Sequence, residues 1–271
     1  MKKHIPNALT CLNLLCGCLA LTIIFGPASQ VDIYTAELAP AQPGLLLGLR
    51  FQTLSYAVFF VGIAAVADFF DGFAARALRV ASPIGKDLDS LADMVSFGVV
   101  PGAILVNLLN AAFSRQPELL KAWQFGNVAV MPTGLLTFLG FALTIFSALR
   151  LAKFNNDTRQ TDSFIGLPTP ACTLVVAALP LILANDRFGL TGYILNPWFL
   201  LGLTALLSGL LVAEIPLFAL KFKNFGWADN RRRYVFIVLA VGLVLALGAA
   251  GVPLAVLAYV AMSMPAAERA G

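Results

Sequence analysis

Residues 68–93 read DFFDGFAARALRVASPIGKDLDSLAD, and this stretch decides how the chain folds around its chemistry. Its acidic residues form two pairs at helical spacing: Asp68 with Asp71, and Asp89 with Asp93. Side chains three or four residues apart share one face of an α-helix, and Ser82-Pro83 predicts a turn between the two pairs. Four carboxylates brought together repel one another unless cations lie between them. Carboxylate oxygens suit hard ions, so the stretch predicts a site for Mg²⁺ or Mn²⁺.

Small residues and one arginine occupy fixed positions between these acids, namely Gly72, Ala75, Arg76 and Gly85. The complete pattern is D-x2-D-G-x2-A-R-x8-G-x3-D-x3-D, and it resembles the signature of the CDP-alcohol phosphotransferase family at every fixed position. Solvated acids at two helix ends would be the structural alternative. Acids beside apolar membrane segments, however, are costly and usually mark function.

The family resemblance implies a chemical role for each acid. Asp68, Asp71 and Asp89 resemble metal ligands, whereas Asp93 resembles the residue that both faces a metal and acts as general base. Two divalent ions at such a site stabilise charge on the attacking and leaving oxygens of a displacement at phosphorus. The resemblance also implies a core of six helices, usually in a homodimer, with CDP-diacylglycerol as the activated lipid.

A second set of residues is expected to contact the cytidine diphosphate: Asn7, Thr10, Asn13, Gly72, Ala75, Arg76 and Gly85. The small residues would let the nucleotide approach the helix closely, and the forked donors of Arg76 suit a phosphate. Gly85 also fits a close packing or turn position. The three polar residues of the first helix would either line the pocket or cap and pack that helix, and the sequence favours neither reading.

Composition independently indicates a membrane protein. Hydrophobic residues make up 59% of the sequence and charged residues only 12%, whereas a typical soluble domain has about 25% charged residues. A helix needs about 20 apolar residues to cross a bilayer, and the candidate spans are 8–26, 52–73, 90–112, 132–152, 168–185 and 198–219. The last apolar stretch, 234–264, is interrupted by Gly248, Gly251 and Pro253. It predicts two short helices, with one long kinked helix as the alternative.

These spans predict an all-α polytopic membrane protein with about eight spans, in which a six-helix core precedes one or two C-terminal helices. The predicted division is a membrane domain over 1–220, followed by a basic loop and C-terminal helices over 221–271. Most of the 18 Lys and Arg residues lie before the first predicted span or in the segments that follow the second, fourth and sixth spans. Because cytoplasmic loops are rich in these residues, the N-terminus and the acidic stretch are predicted on the cytoplasmic side of a bacterial-type inner membrane.

Further segments resemble the phosphatidylserine synthases of this family, and they are 5–10, 13–17, 89–98, 101–102, 150–155 and 164–170. The resemblance implies transfer of a phosphatidyl group from CDP-diacylglycerol to L-serine, with release of CMP. Arg150, Lys153 and Asn155 lie at a predicted cytoplasmic helix end. There they would bind the serine carboxylate or a lipid phosphate, or serve only as ordinary positive-inside charges.

Two other functions are compatible with parts of the pattern. The same chemistry could use glycerol 3-phosphate or an inositol phosphate as acceptor, although such phosphates should demand more basic residues than Arg150 and Lys153 provide. An ion-coupled transporter would also use acids within the membrane, but here the acids cluster at one predicted face. No nucleic-acid partner is predicted.

Overall fold

A computed structural model describes residues 4–26, 43–80, 82–116, 123–125, 128–130, 132–156, 163–218 and 226–267. Its helices are α1 (Ile5–Phe25), α2 (Pro43–Leu78), α3 (Pro83–Asp93), α4 (Val100–Ser114), α5 (Pro132–Thr137), α6 (Ala142–Asn156), α7 (Thr169–Asn185), α8 (Thr191–Ile194), α9 (Pro197–Val212), α10 (Trp227–Leu247) and α11 (Gly251–Ala267). Two antiparallel strand pairs join them, β1 (Trp123–Phe125) with β2 (Val128–Val130) and β3 (Ser163–Ile165) with β4 (Pro216–Phe218). Short 3₁₀ turns, Phe138–Phe141 and Gly248–Ala250, precede α6 and α11.

Long apolar helices dominate the described part of the chain. Five stretches are long and apolar enough to cross a membrane: Ile5–Phe25, Arg50–Leu78, Pro83–Ser114, Gly134–Asn156 and Asn230–Met264. Two further helices, α7 and α9, are apolar but shorter. The protein is therefore an all-α polytopic membrane protein, as predicted, although sequence reasoning did not anticipate the two short strand pairs.

The bounds of several helices differ from those of the predicted spans. α2 begins at Pro43, so Arg50 lies inside a helix and not in an outer loop, and its Nη2 donates to Asn107 Oδ1 at 2.9 Å. α3 begins at Pro83, whereas the predicted span started at residue 90. The sixth span was expected to reach residue 219, but α9 ends at Val212 and strand β4 follows.

The C-terminal apolar stretch forms two helices, which confirms the first of the two alternatives. α10 ends at Leu247, and Gly248 then adopts a φ of 60°, a conformation that favours glycine. A Cβ at Gly251 would collide with the carbonyl of Leu243, so α11 packs closely against α10 in a hairpin. The predicted boundary at residue 220 lies outside the described residues, as do Lys2, Lys3, Lys121, Arg159, Lys221, Lys223 and Arg269.

The helix α4 forms the centre of the described bundle. All of its residues from Val100 to Leu109 are buried, and it packs against α1, α6, α7 and α9. A helix that is apolar on every side is expected in the interior of a bundle. α4 is the second half of one continuous helical stretch, Pro83–Ser114, and the acids of α3 lie in its first half. α3 in turn packs against α1.

A π-helical segment, Met94–Val99, joins α3 to α4 directly after Asp93. Pro101 has no N–H to donate to the carbonyl four residues earlier, and that carbonyl, on Phe97, accepts a hydrogen bond from the Thr173 hydroxyl at 2.9 Å. Segments of this kind often occur at functional sites. The bond connects the π-helical segment, which directly follows Asp93, to α7; the same hydroxyl also lies 2.9 Å from the Thr169 carbonyl.

Candidate active site

The turn between α2 and α3 brings the two acidic pairs together. α2 ends at Leu78, and Arg79 follows in the left-handed region with a φ of 53°. α3 then starts at Pro83, a residue whose fixed φ suits the first helical position. Ser82 caps this helix, because its Oγ accepts the backbone N–H of Gly85 at 3.0 Å. The turn therefore follows from the local sequence, as the Ser-Pro pair predicted.

Three of the four predicted metal ligands form one cluster. Asp68, Asp71 and Asp89 each contribute a carboxylate oxygen, and these three oxygens lie within 4.8 Å of one another. Asp89 Oδ1 is buried and has no hydrogen-bond partner within the described part of the chain. A buried charged oxygen without a donor is costly, and a bound cation would remove that cost. A donor set made only of carboxylate oxygens fits a hard divalent ion.

The helix α1 supports this cluster through Thr10. Asp71 is only 5% exposed, and the Thr10 hydroxyl lies 2.7 Å from its Oδ2 and 3.1 Å from the Pro6 carbonyl. A hydroxyl has one proton, and a hydrogen bond to a carboxylate is stronger than one to a neutral carbonyl. Partners of this kind orient metal ligands. Thr10 therefore holds one oxygen of Asp71 and leaves the other for a metal.

Asp93 lies beside the cluster of three and not within it. It interacts electrostatically with Asp68 and Asp89, and its Oδ1 accepts a hydrogen bond from Asn13 Nδ2 at 3.1 Å. This bond fixes the carboxylate while leaving Oδ2 to accept a proton. A carboxylate in this position can accept a proton and can also face a metal held by the other three acids.

Asn13 is itself held by a close approach of α1 to the π-helical segment. The Ser96 hydroxyl donates to the Asn13 carbonyl at 3.0 Å. A Cβ at Gly17 would lie 2.5 Å from Ser96 Oγ and 3.1 Å from Ser96 Cα, so only glycine permits this approach without displacement. The sequence suggested Asn13 as a nucleotide contact, whereas the structure places it against Asp93.

A cavity of about 190 Å³ opens beside the acids. Its lining residues are Pro6, Asn7, Thr10, Asp71, Gly72, Ala75, Val80, Ser82, Gly85, Lys86 and Asp89. Most of the predicted nucleotide contacts are among them, but Asn13 and Arg76 are not. Arg76 is exposed and interacts electrostatically with Asp71. Sequence reasoning missed Lys86, and its position next to Gly85 in the motif was the available signal.

The three residues predicted to bind the acceptor have different surroundings in the structure. Arg150 is 7% exposed, and its guanidinium interacts electrostatically with Asp93. Its Nε is buried and has no hydrogen-bond partner among the residues that the structure describes. Asn155 is used elsewhere, since its Nδ2 donates to Ser90 Oγ at 2.8 Å. Lys153 is exposed. Only Arg150 therefore combines burial with proximity to the acids.

A second cavity, of about 450 Å³, lies between α7 and the C-terminal hairpin. Its walls are apolar apart from the Tyr259 hydroxyl, and they include Pro170, Leu174, Ala240 and Val256. No charged side chain lines it. This second cavity therefore offers no charged group for a phosphate or a metal.

The family model described as CDP-alcohol phosphatidyltransferase matches residues 3–212, a range that includes every acid of the cluster. The chain belongs to this family. It is therefore a membrane-bound transferase, and the predicted family resemblance is confirmed.

Several curated members of the CDP-alcohol phosphatidyltransferase family resemble the chain over most of that range. It is 29% identical over 194 residues to the CDP-diacylglycerol–serine O-phosphatidyltransferase of Bacillus subtilis, which covers 70% of this chain and 85% of the relative. It is 31% identical over 192 residues to the protein of the same name from Helicobacter pylori, with 69% of each chain covered. A Saccharomyces cerevisiae protein of that name is 31% identical over 147 residues, which is 49% of this chain and 46% of the relative.

Proposed function

We propose that the protein transfers the phosphatidyl group of CDP-diacylglycerol to L-serine, giving phosphatidylserine and CMP. The observation that carries this proposal is the cluster of Asp68, Asp71 and Asp89 beside a cavity lined by small residues, in a member of a family that acts on CDP-alcohols. The names of the relatives support serine as the acceptor.

Two divalent ions, Mg²⁺ or Mn²⁺, would be held by Asp68, Asp71, Asp89 and Asp93. When bound, such ions neutralise a pyrophosphate and stabilise the charge that develops on the attacking and leaving oxygens. The unpartnered Oδ1 of Asp89 and the short separation of the carboxylate oxygens support this assignment.

The cytidine diphosphate would occupy the cavity beside the acids. Gly72 and Ala75 present little side chain there, so the nucleotide could approach α2 closely. Asn7 offers amide groups that can hydrogen-bond to a base or sugar, and Lys86 offers a positive charge for a phosphate. The acyl chains of the lipid would remain in the hydrocarbon region that the apolar helices cross.

Asp93 would accept the proton of the serine hydroxyl as that oxygen attacks the phosphorus bearing the diacylglycerol group. A new P–O bond forms to serine, the P–O bond to CMP breaks, and CMP leaves with the electron pair. The Asn13 hydrogen bond orients the carboxylate for this role. Arg150 would bind the serine carboxylate, because its buried guanidinium lies near Asp93 and its Nε lacks a partner among the described residues.

The distribution of Lys and Arg supports an active site on the cytoplasmic face of a bacterial-type inner membrane. The family resemblance supports a homodimer. The nucleotide role of Arg76, the acceptor roles of Lys153 and Asn155, and the domain boundary at residue 220 stay predictions.

The proposal is tested by measuring CMP release from CDP-diacylglycerol with the purified protein in lipid nanodiscs. Labelled serine, glycerol 3-phosphate and inositol phosphate are supplied in separate reactions, with Mn²⁺, Mg²⁺ or a chelator. We expect metal-dependent transfer to serine. Efficient transfer to glycerol 3-phosphate without transfer to serine would overturn the acceptor assignment.

The role of Asp93 is tested with Asp93→Asn, for which kcat should fall about 10²- to 10⁴-fold as a general base is lost. Asp87→Asn is the matched control, because Asp87 is exposed on the same helix and lies outside the acidic cluster. Equal activity of the two variants would show that Asp93 is not the base.

A further inference from the structure

The turn that follows α7 holds an arginine at the end of that helix. The carbonyl of Asp186 accepts the backbone N–H of Gly189 at 3.0 Å. The Asp186 carboxylate accepts the backbone N–H of Thr191 at 3.1 Å, so the acid is engaged with the start of α8. These bonds fix the backbone on both sides of Arg187. The Arg187 guanidinium carbon lies 5.4 Å from the centre of the Phe188 ring.

A third cavity, of about 440 Å³, lies between this turn, the end of α7 and the bend that joins α10 to α11. Its buried and half-buried walls are apolar, whereas its polar side chains are exposed. The walls include Leu181, Ile182, Leu247 and Ala249, and the exposed polar residues are Asn185 and Arg187. Arg187 is the one charged side chain among the described residues that line the cavity. The cavity therefore combines an apolar interior with a cation at its edge.

This third cavity is remote from the acidic cluster. Near its start, α7 is hydrogen-bonded through Thr173 to the π-helical segment that follows Asp93. Asn185 comes 12 residues later in the sequence, which is about 18 Å along the axis of a helix. α10 and α11 also lie beyond residues 3–212, the range that the family model matches. A ligand in this cavity would therefore contact both the family core and the C-terminal hairpin, and it would not contact the nucleotide site.

A membrane lipid has the two properties that the cavity requires. The ends of helices that cross a bilayer lie near the lipid headgroups. A glycerophospholipid has apolar acyl chains and a negatively charged phosphodiester, and the forked guanidinium of arginine can donate two parallel hydrogen bonds to phosphate oxygens. A small soluble anion would leave the apolar walls uncovered. An uncharged apolar ligand would leave Arg187 without an anion.

We propose that this cavity is a second lipid site, in which a glycerophospholipid of the leaflet opposite the active site places its phosphate on Arg187 and an acyl chain along the apolar walls. The bound lipid joins α7 to the C-terminal hairpin and takes no part in the reaction. The inference goes beyond the proposed function and does not depend on which alcohol accepts the phosphatidyl group.

The test is native mass spectrometry of the purified full chain in nonionic detergent, titrated with dioleoylphosphatidylglycerol. Arg187→Gln keeps a polar side chain of similar reach but removes the charge. We expect the apparent Kd for the lipid to rise about tenfold, the effect of losing one hydrogen bond to a charged group. Arg187→Lys keeps the charge without the fork, so its Kd should lie between the other two.

Arg115→Gln is the matched control. Arg115 is also exposed and follows the end of α4 that is remote from the acids, but it does not line the cavity. Its Kd should equal that of the wild type. Ala249→Leu narrows the apolar part of the cavity while retaining Arg187, and it should also raise the Kd about tenfold as the acyl chain loses space. Equal weakening by Arg115→Gln, or unchanged binding in either Arg187→Gln or Ala249→Leu, would overturn the inference.

Two further ligands identify the occupant. Dioleoylglycerol has the same acyl chains and no phosphate, whereas glycerol 3-phosphate has the phosphate and no chains. The binding that depends on Arg187 should be at least about tenfold weaker for each of them than for dioleoylphosphatidylglycerol. Equally tight Arg187-dependent binding of either ligand would refute a phospholipid site. A change of oligomeric state in Arg187→Gln without added lipid would instead assign the cavity to a contact between two copies of the chain.

Discussion

Replacing Thr10 with valine would remove one hydroxyl from the active site while nearly preserving the shape of the side chain. In the wild type this hydroxyl lies 2.7 Å from Asp71 Oδ2. Asp71 is one of the three acids whose oxygens lie within 4.8 Å of one another. The substitution therefore leaves every proposed metal ligand in place and removes only the group that orients one of them.

The size of the effect follows from the charge of the acceptor. A hydrogen bond to a charged group contributes about 1.5–3 kcal/mol, and each 1.36 kcal/mol corresponds to about a factor of ten. Loss of a partner that orients a metal ligand typically lowers metal affinity about 10- to 100-fold. We therefore expect Thr10→Val to raise the half-saturating Mn²⁺ concentration about 10- to 100-fold. Activity should largely return at saturating metal.

The assay is CMP release as a function of Mn²⁺ concentration at fixed CDP-diacylglycerol and serine. Thr22→Val is the control, because Thr22 lies on the same helix and its exposed hydroxyl donates only to the Cys18 carbonyl within that helix. If Thr10→Val and Thr22→Val show the same metal dependence, Thr10 does not orient a metal ligand. The role assigned to α1 would then be wrong.

Substitutions at three further positions follow from contacts around the same site. Asn13→Leu should lower kcat about 10- to 100-fold, because Asp93 loses a charge-assisted bond; an unchanged steady-state kcat would contradict the orientation described for Asp93. Gly17→Ala should reduce activity and the thermal unfolding midpoint together, since overpacking against Ser96 costs about 1–3 kcal/mol; a stable, active variant would show that α1 can move. Ser82→Ala should cost about 1 kcal/mol as α3 loses its cap, whereas Ser82→Gly should cost less in the same unfolding assay.

The acidic cluster could be predicted because it depends on short-range geometry. Asp68 and Asp71 share a helix face by spacing alone, and Ser82-Pro83 marks a capped turn in any context. The break between the two C-terminal helices could also be predicted, because it falls at Gly248, whose φ of 60° is one that residues other than glycine rarely adopt. These features need no knowledge of what packs against them.

The surroundings of Asp93 could not be predicted in the same way. The π-helical segment after it is hydrogen-bonded through the Phe97 carbonyl to Thr173, which is distant in the chain. The burial of Tyr259 likewise depends on how the hairpin packs against strand β4. Apolar composition identifies such helices as membrane spans, but it does not say which faces meet.

Asn155, one of the residues predicted to bind the acceptor, connects two helices of the site through hydrogen bonds. Its carbonyl accepts a hydrogen bond from Lys86 Nζ at 3.1 Å, and its Nδ2 donates to Ser90 Oγ at 2.8 Å. Both partners belong to α3, the helix that carries Asp89, whereas Asn155 belongs to α6, the helix that carries Arg150. These two bonds join the helix proposed to hold the phosphates to the helix proposed to hold the acceptor. Because a displacement at phosphorus requires both reactants at a fixed separation, such a bridge can serve the reaction without contacting either substrate.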